Sequence, residues 1–595
     1  MDLHRQPVDY LIRKRQALRR ELLEGENLQN LNIAVLGGPT TNEVVDLLEL
    51  FLLADGFRPR FYQSEYNRFY EEAVLQPQRL INFRPDVVYL HTSFLNIQNV
   101  APLGATASDF DTCVAEEMAR FQSIWSSLQE NLGCQVIQNN FESPPYALLG
   151  NLDCVSYGGK ARFINALNLE FAKEALTRPW LAIHDVHSLS GLMGTKHWFD
   201  WNRWYSYKIL TSPDASLALV ESFSAILRAI YGKSRKCLVL DLDNTLWGGV
   251  VGDDGPEKIK IGRETPIAEA YTAFQEYCLA LRNRGVLLAV CSKNHEETAK
   301  QGLAHPDSIL KVDHFAAFKA NWLPKHQNIA AIASELNIGL DSLVFVDDNP
   351  AERSLVKAQL PSVAVPDVGS DISTYATILD AGRYFEPVRI SQEDLKRANL
   401  YATNSLRKAV RAEFADYGDY LDSLDMTAEI GAFRPEYLER IAQLTNKTNQ
   451  FNLTTRRYTL AEIETMASDQ QHLTLYGKLA DKFGDNGLVS VIIGRKEAYI
   501  LHLDLWLMSC RVLCREMELA MLDSLVDRAR SSGIELLKGY YLRTPKNELV
   551  ADHYQRLGFA PELDNSNEQG SEWCLYLKDY EPMTRYIRVR ELVNG

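Results

Sequence analysis

Three short runs near the middle of the chain are wholly apolar: Cys237-Leu238-Val239-Leu240, Val286-Leu287-Leu288-Ala289-Val290-Cys291 and Leu343-Val344-Phe345-Val346. Runs of this length without polar alternation read as strands buried on both faces, as in the covered sheets of α/β proteins. Each run ends on a side chain with chemistry to offer: Asp241, Ser292 and Asp347. Ligand sites in open α/β sheets lie at the carboxyl ends of the strands. The pattern therefore predicts both an α/β unit and the edge at which it works.

A similar alternation opens the chain. Leu31–Leu36 reads as a buried strand running into Gly37-Gly38-Pro39-Thr40, and Asn42–Ala54 has helical apolar spacing. Further strands are expected at Asp86–Leu90 and Gln135–Gln138, giving a parallel sheet to about residue 230. Residues 1–30, rich in Arg, Leu and Glu, read as a surface helix. Residues 386–425 read as a charged helical connector. After 426, strands at Leu488–Ile493, Ala498–Leu507 and Glu572–Leu577 mix with helices at Arg434–Leu444, Glu516–Ser531 and Val550–Leu557. The expected organisation is an α/β multidomain chain: a helical segment 1–30, α/β domains at 31–230 and 235–385, the connector 386–425, and an α+β domain at 426–595. The 595 residues suffice for three cores.

Lys plus Arg number 63 against 78 Asp plus Glu, a net charge of −15, which argues against general nucleic-acid binding. No stretch approaches the roughly 20 apolar residues of a membrane span. The opening residues do not read as a signal peptide. Nine scattered cysteines without a CxxC pair argue against a disulfide framework and suggest a cytoplasmic protein.

The chemistry concentrates in Asp241-Leu242-Asp243-Asn244-Thr245. Asp241 can attack phosphorus to give an aspartyl-phosphate. Asp243 can protonate the leaving oxygen and then activate water. Two carboxylates beside a phosphate require a divalent cation, and Mg²⁺ suits oxygen ligands and phosphate. Ser292 can donate to the phosphoryl group, and Lys325 can neutralise both phosphate and nucleophile. Asp347 and Asp348 can complete a metal shell with Asp241 and Asp243. Together these parts resemble the four-part motif of the haloacid-dehalogenase-like (HAD) phosphatases. Thr245, Lys293 and Asn294 join Ser292 and Lys325 as expected phosphate contacts. Residues 244–291 include a helix and leave room for a minimal cap only.

The likeness extends further. Asp241–Gly255, Val290-Cys291-Ser292-Lys293-Asn294 and Val346–Arg353 resemble the FkbH-like branch of that superfamily. The resemblance implies an SGNH-hydrolase-like three-layer α/β domain at the N-terminus, a HAD-like Rossmannoid domain and a GNAT-like α+β domain at the C-terminus. The last is suggested by Thr445–Thr454 and Ser509-Cys510-Arg511-Val512-Leu513. It further implies a glyceryl transferase: 1,3-bisphosphoglycerate is taken up, the glyceryl group is held as an enzyme thioester, phosphate is removed, and the acyl unit passes to an acyl carrier protein for polyketide-type biosynthesis. Carrier proteins are usually acidic, so a basic face is expected near the transfer site.

Cys510, which follows the apolar run 501–508, is the expected acyl carrier, and Cys291 is the alternative thiol. Asn449, Asn452, Arg511 and His553 are candidate substrate contacts. Arg511-Val512-Leu513-Cys514-Arg515-Glu516 lacks the glycines with which a GNAT turn approaches pyrophosphate, so acetyl-CoA is not the expected ligand. Asp481–Gly487 reads as a hairpin turn. The turn after the first strand lacks the serine of an active SGNH hydrolase. The N-terminal domain, with His184, Asp185, His187 and His197, is therefore expected to be a degenerate scaffold or docking face. Other expectations are a plain Mg²⁺ phosphatase of another small metabolite, or a carrier-docking scaffold.

Overall fold

The computed structural model describes residues 3–25, 28–411, 413–448, 450–509, 512–544, 546–562 and 570–591. The chain forms two compact units, Met1–Arg228 with Thr459–Ile463, and Ala229–Tyr458 with Glu464–Gly595.

The first unit holds a five-stranded sheet of β1 (Gln29–Gly37), β2 (Phe57–Gln63), β3 (Val87–His91), β4 (Gln135–Asn139) and β5 (Leu181–His184), in the order β2-β1-β3-β4-β5. All pairings are parallel. β2, with Arg58, Pro59 and Arg60, is an edge strand, where a proline costs no ladder bond. The predicted N-terminal helix is Val8–Leu23. It is amphipathic rather than a plain surface helix: Leu11 is fully buried, while Arg15 and Arg19 pair with Asp46 and Glu49 of the helix Asn42–Ala54.

The second unit holds two sheets. The smaller, of β6 (Cys237–Leu240), β7 (Leu287–Ser292), β8 (Ala317–Ala320) and β9 (Leu343–Val346), has the order β8-β7-β6-β9 and is parallel throughout. The three apolar runs are its three adjacent strands, every residue of them buried. The sequence continues from β6 to β7 on one side and returns to β9 on the other, so a crevice opens at the carboxyl end of β6.

The larger sheet comprises β10 (Met426–Gly431), β11 (His472–Asp481), β12 (Gly484–Glu497), β13 (Ile500–Met508), β14 (Leu536–Leu542), β15 (Ala560–Pro561), β16 (Gly570–Tyr576) and β17 (Ile587–Glu591), in the order β15-β16-β14-β13-β12-β11-β10-β17. It is mixed: β13 pairs with β14 and β10 with β17 in parallel, and the other pairings are antiparallel. The expected hairpin turn at 481–487 joins β11 to β12. The connector is the helix Gln392–Arg411. Near its start, Arg397 donates to the Gly285 carbonyl, and near its end Arg407 grips Asp481 through two hydrogen bonds of 2.9 and 2.8 Å. Held at both ends, it ties the two sheets into one unit, although the sequence suggests separate domains.

β13 and β14 pair only over Ile500–Leu503 and Leu536–Gly539, and then diverge. The gap is filled by the chain itself. Leu453 donates to the Trp506 carbonyl, Met508 to that of Phe451, and Leu542 to that of Leu453.

Candidate active site

The loop after β6 carries Asp241 and Asp243. The Asp241 amide still bonds the Val346 carbonyl of β9, which fixes the start of the loop. Asn244 then takes a left-handed conformation (φ 54°), which asparagine tolerates better than most residues. Its side chain accepts from the Gly249 amide at 2.9 Å. Trp247 packs on Gly302, where a Cβ would come within 2.8 Å of the indole.

Lys325 opens the helix Lys325–Leu336 and is 3% exposed. Its ammonium lies 2.7 Å from Asp241 Oδ2 and 2.5 Å from Asp347 Oδ2. Burial disfavours that charge, but the two carboxylates outweigh it and hold the lysine above its usual pKa range. Burial and the proximity of Asp241 push both Asp347 and Asp348 up, against the pull of Lys325. The loop before Lys325 is braced by paired Asn321 and Asn328 amides, and the Asn321 backbone bonds the Ser292 carbonyl. The loop that begins at Asp347 is braced by Arg353, which donates to the Asp347 and Asp348 carbonyls and to Asp367.

One oxygen each from Asp241, Asp347 and Asp348 lie within 4.8 Å of one another. Asp241 Oδ1 is buried without a hydrogen-bond partner. Three carboxylates facing one lysine leave an excess of negative charge, and this donor set fits a hard divalent cation.

Asp243 differs from the expectation. Its carboxylate stands outside the three-aspartate group. Trp247 Nε1 and the Val251 amide donate to Oδ1 at 2.9 and 3.0 Å, and Asn294 Nδ2 donates to Oδ2 at 2.8 Å. The metal set expected at four aspartate side chains is thus three, because these donors occupy the fourth. Asn294 also donates to Ser292 Oγ at 3.3 Å, which places Ser292, Asn294 and Asp243 side by side.

A search of solved structures finds the N-terminal part of the protein BF1531 from Bacteroides fragilis, which contains a phosphatase domain complexed with Mg²⁺. Identity is 31%, with 63% of this chain and 99% of that chain covered and a TM-score of 0.58. The chain belongs to this HAD-like phosphatase family. Mg²⁺ is its cofactor, and Asp241, Asp347 and Asp348 are the side chains placed to hold it. Acetyltransferases also match. PaiA from Thermoplasma acidophilum has 17% identity over 25% of this chain and 99% of its own, with a TM-score of 0.20. A GNAT-family enzyme from Streptococcus pneumoniae has 15% identity over 25% and 98%, also at 0.20. No protein-family model matches the sequence, and no curated protein does.

The other expected phosphatase contacts divide. Ser292 and Asn294 are buried beside Asp243, and Lys325 is buried against Asp241 and Asp347. Thr245 does not join them as a phosphate contact: it is fully buried, and its hydroxyl accepts from the Asp348 amide at 3.1 Å, stitching two loops together. Lys293 is turned to an ion pair with Glu352 at 2.5 Å. The alternative thiol, Cys291, is fully buried and donates to the Lys325 carbonyl, and burial pushes its pKa far up, so it packs rather than reacts. The cap is small, a short helix Val251–Asp254 inside a loop closed by two backbone hydrogen bonds between Gly248 and Lys260. Arg353 and Trp247 were not foreseen as site residues. An arginine six residues after Asp347 and a tryptophan four after Asp243 carry no signal until the loops fold.

Of the transfer-site residues, Cys510, Arg511 and Asn449 lie outside the described residues. Asn452 is fully buried and structural: its Oδ1 accepts from the Thr455 amide and its carbonyl from Asn547. His553 is a packing residue, edge-on to Phe451 and Trp506, with burial lowering its pKa to about 3. Cys514 and Glu516, which stand where glycines were expected, both take left-handed conformations, φ 63° and 59°. In the first unit, Asp185 caps the helix Val186–Met193, and His184 meets the Tyr89 hydroxyl at 3.1 Å. No helix among the described residues is long and apolar enough to cross a membrane.

Proposed function

We propose that the chain hydrolyses a phosphate monoester through an aspartyl-phosphate, and that it couples this step to acyl transfer. The observation that carries the first half is the buried Asp241 carboxylate, one oxygen held by Lys325 and the other without a partner. The open oxygen attacks phosphorus, and the phosphorus–oxygen bond to the leaving group breaks. Asp243, oriented by Trp247, Val251 and Asn294, gives the leaving oxygen its proton and then takes one from the attacking water. Lys325 and Ser292 meet the phosphoryl oxygens. Bound Mg²⁺ supplies charge neutralisation of phosphate and carboxylates.

For the second half, the FkbH-like motifs support 1,3-bisphosphoglycerate as substrate, a glyceryl thioester on Cys510, and an acyl carrier protein as acceptor. The acyl phosphate is already activated, so a thiolate displaces phosphate without ATP. The phosphate ester left on the glyceryl group then falls to Asp241. An N-terminal SGNH-like domain belongs to the same reading, supported by the wholly parallel sheet of that unit.

A plain phosphatase of another small metabolite is the second reading, and specific observations favour it. Asn452 and His553 are used up in packing, and the gap between β13 and β14 is filled by residues 451–453. Among the described residues near that gap, Arg456 and Arg495 pair with Asp504, and Lys538 with Glu562 and Glu572, so these cations are engaged by carboxylates of the chain itself. Incubation with 1,3-bisphosphoglycerate, Mg²⁺ and a carrier protein, read by intact mass, separates the two. A glyceryl adduct lost in Cys510→Ala supports coupled transfer, whereas phosphate release with no adduct supports the plain phosphatase.

A further inference from the structure

The run that delivers the buried lysine, Asn321-Trp322-Leu323-Pro324-Lys325, carries an anomaly. Trp322 is 65% exposed, and Leu323 beside it is exposed as well. An indole ordinarily gives most of its area to a core, and Trp125, Trp198, Trp247 and Trp506 do so here. The loop that holds Trp322 out is fastened. The Asn321 amide donates to the Ser292 carbonyl at 3.1 Å, its side chain donates to Asn328 Oδ1 at 3.2 Å, and its Oδ1 accepts from the Leu323 amide at 3.0 Å.

The indole stands edge-on to His295, with ring centroids 5.8 Å apart. His295 follows Asn294, whose side chain donates to Asp243. The cap reaches the same residue: a Cβ on Gly252 would lie 3.8 Å from Asn294 Oδ1. Trp322 is thus linked through His295 and Asn294 to the carboxylate that serves the leaving oxygen.

Charge narrows what can lie there. In the loops after β7, β8 and β9, each Lys and Arg is already engaged: Lys293 with Glu352, Lys325 with Asp241 and Asp347, and Arg353 with two carbonyls and Asp367. The cap at 249–260 carries Asp253, Asp254 and Glu257 against Lys258 and Lys260. Lys325 and Mg²⁺ answer the phosphoryl group, and these loops hold no further cation in reserve for a second anionic group on the substrate. A carboxylate beside the phosphate would be desolvated without compensation, whereas an uncharged, apolar group meets an aromatic ring.

We propose, resting on the aspartyl-phosphate chemistry of Asp241, that Trp322 selects the substrate. The crevice takes phosphate monoesters whose organic part is uncharged and apolar next to the phosphate, and that part packs on the indole.

The test compares the full-length, Mg²⁺-loaded wild type with Trp322→Ala and Trp322→Phe, by phosphate release from benzyl phosphate, glycerol 3-phosphate and 3-phosphoglycerate. All three are esters of primary alcohols. The wild type should favour benzyl phosphate over 3-phosphoglycerate by about tenfold or more in kcat/KM. Trp322→Ala should raise KM for benzyl phosphate about fivefold, with kcat and the turnover of glycerol 3-phosphate nearly unchanged. Trp322→Phe should keep that KM within about twofold of wild type. Benzylphosphonate, which cannot be hydrolysed, should inhibit competitively, and about fivefold more weakly in Trp322→Ala. Equal kcat/KM for 3-phosphoglycerate and benzyl phosphate overturns the proposal. So does a Trp322→Ala variant that keeps wild-type KM and inhibition, or that loses activity on all three esters alike. Those outcomes leave the phosphatase reading standing. No phosphate release from any ester, or release that survives Asp241→Asn, overturns that reading and the selection with it.

Discussion

The molecule contains two parallel sheets whose strand orders both create a switch point, and the two edges are equipped in opposite ways. At β6, carboxylates meet a buried lysine that arrives from the helix after β8, and Arg353 and Thr245 lock the loops that carry them. At the edge of β1 and β3, Glu142, a carboxylate of comparable burial that follows β4, has no Lys or Arg among the described residues that line the pocket with it. Topology makes the crevice in each case, but the loops decide whether a buried carboxylate meets a cation or backbone amides alone. That contrast can be attacked directly, and the experiments follow in falling order of effect.

Asp241→Asn removes the attacking oxygen and should lower kcat on the order of a thousandfold or more, measured as phosphate release. Retention of activity would place the nucleophile elsewhere. Lys325→Met leaves Asp241 and Asp347 buried without their shared cation. It should destabilise the Mg²⁺-free protein by about 3–5 kcal/mol in denaturant titration, and by less at saturating Mg²⁺ because ion binding stabilises the fold. If the loss is equal with and without Mg²⁺, lysine and metal do not answer to the same carboxylates.

On the other edge the dependence is on pH. Glu142 is raised from 4.5 to about 7 in the fold, so the folded state binds the extra proton between those values. Its stabilising contribution is therefore present at low pH and lost as pH rises through 7. Relative to Glu142→Gln, the wild type should lose about 3 kcal/mol between pH 4.5 and 8, read from denaturation curves at both pH values. Parallel stabilities would show that the carboxyl is compensated after all. The smallest effect belongs to Asn294→Ala, which frees one oxygen of Asp243. It should lower kcat about tenfold with KM nearly unchanged and move the pH–rate profile, a combination that a merely structural asparagine would not give.

The legibility of the two edges in sequence follows the same contrast. β6, β7 and β9 are apolar without interruption, and Asp241, Ser292 and Asp347 stand at or directly after their ends, so strand and chemistry are read together. β2 was missed because Arg58, Pro59 and Arg60 suit an edge strand and resemble a loop. Asn452 was misread because the polar run reads as an open loop, whereas Asn452 itself forms an isolated bridge to Leu507 and is fully buried. Thr245 and Lys293 have the right residue types in the right motif, yet one bonds a backbone amide and the other a surface glutamate. Those choices depend on loop packing, which residue type does not encode. Glu142 sits in Asn140-Phe141-Glu142-Ser143 with no periodic or motif signal, and only the fold puts it at a sheet edge.

The three residues that lie between β13 and β14 make that gap an already occupied berth. Any extended ligand seeking the backbone groups of Trp506, Met508 and Leu542 competes with a segment tethered to the same chain, at an effective concentration of about millimolar order for a short flexible link.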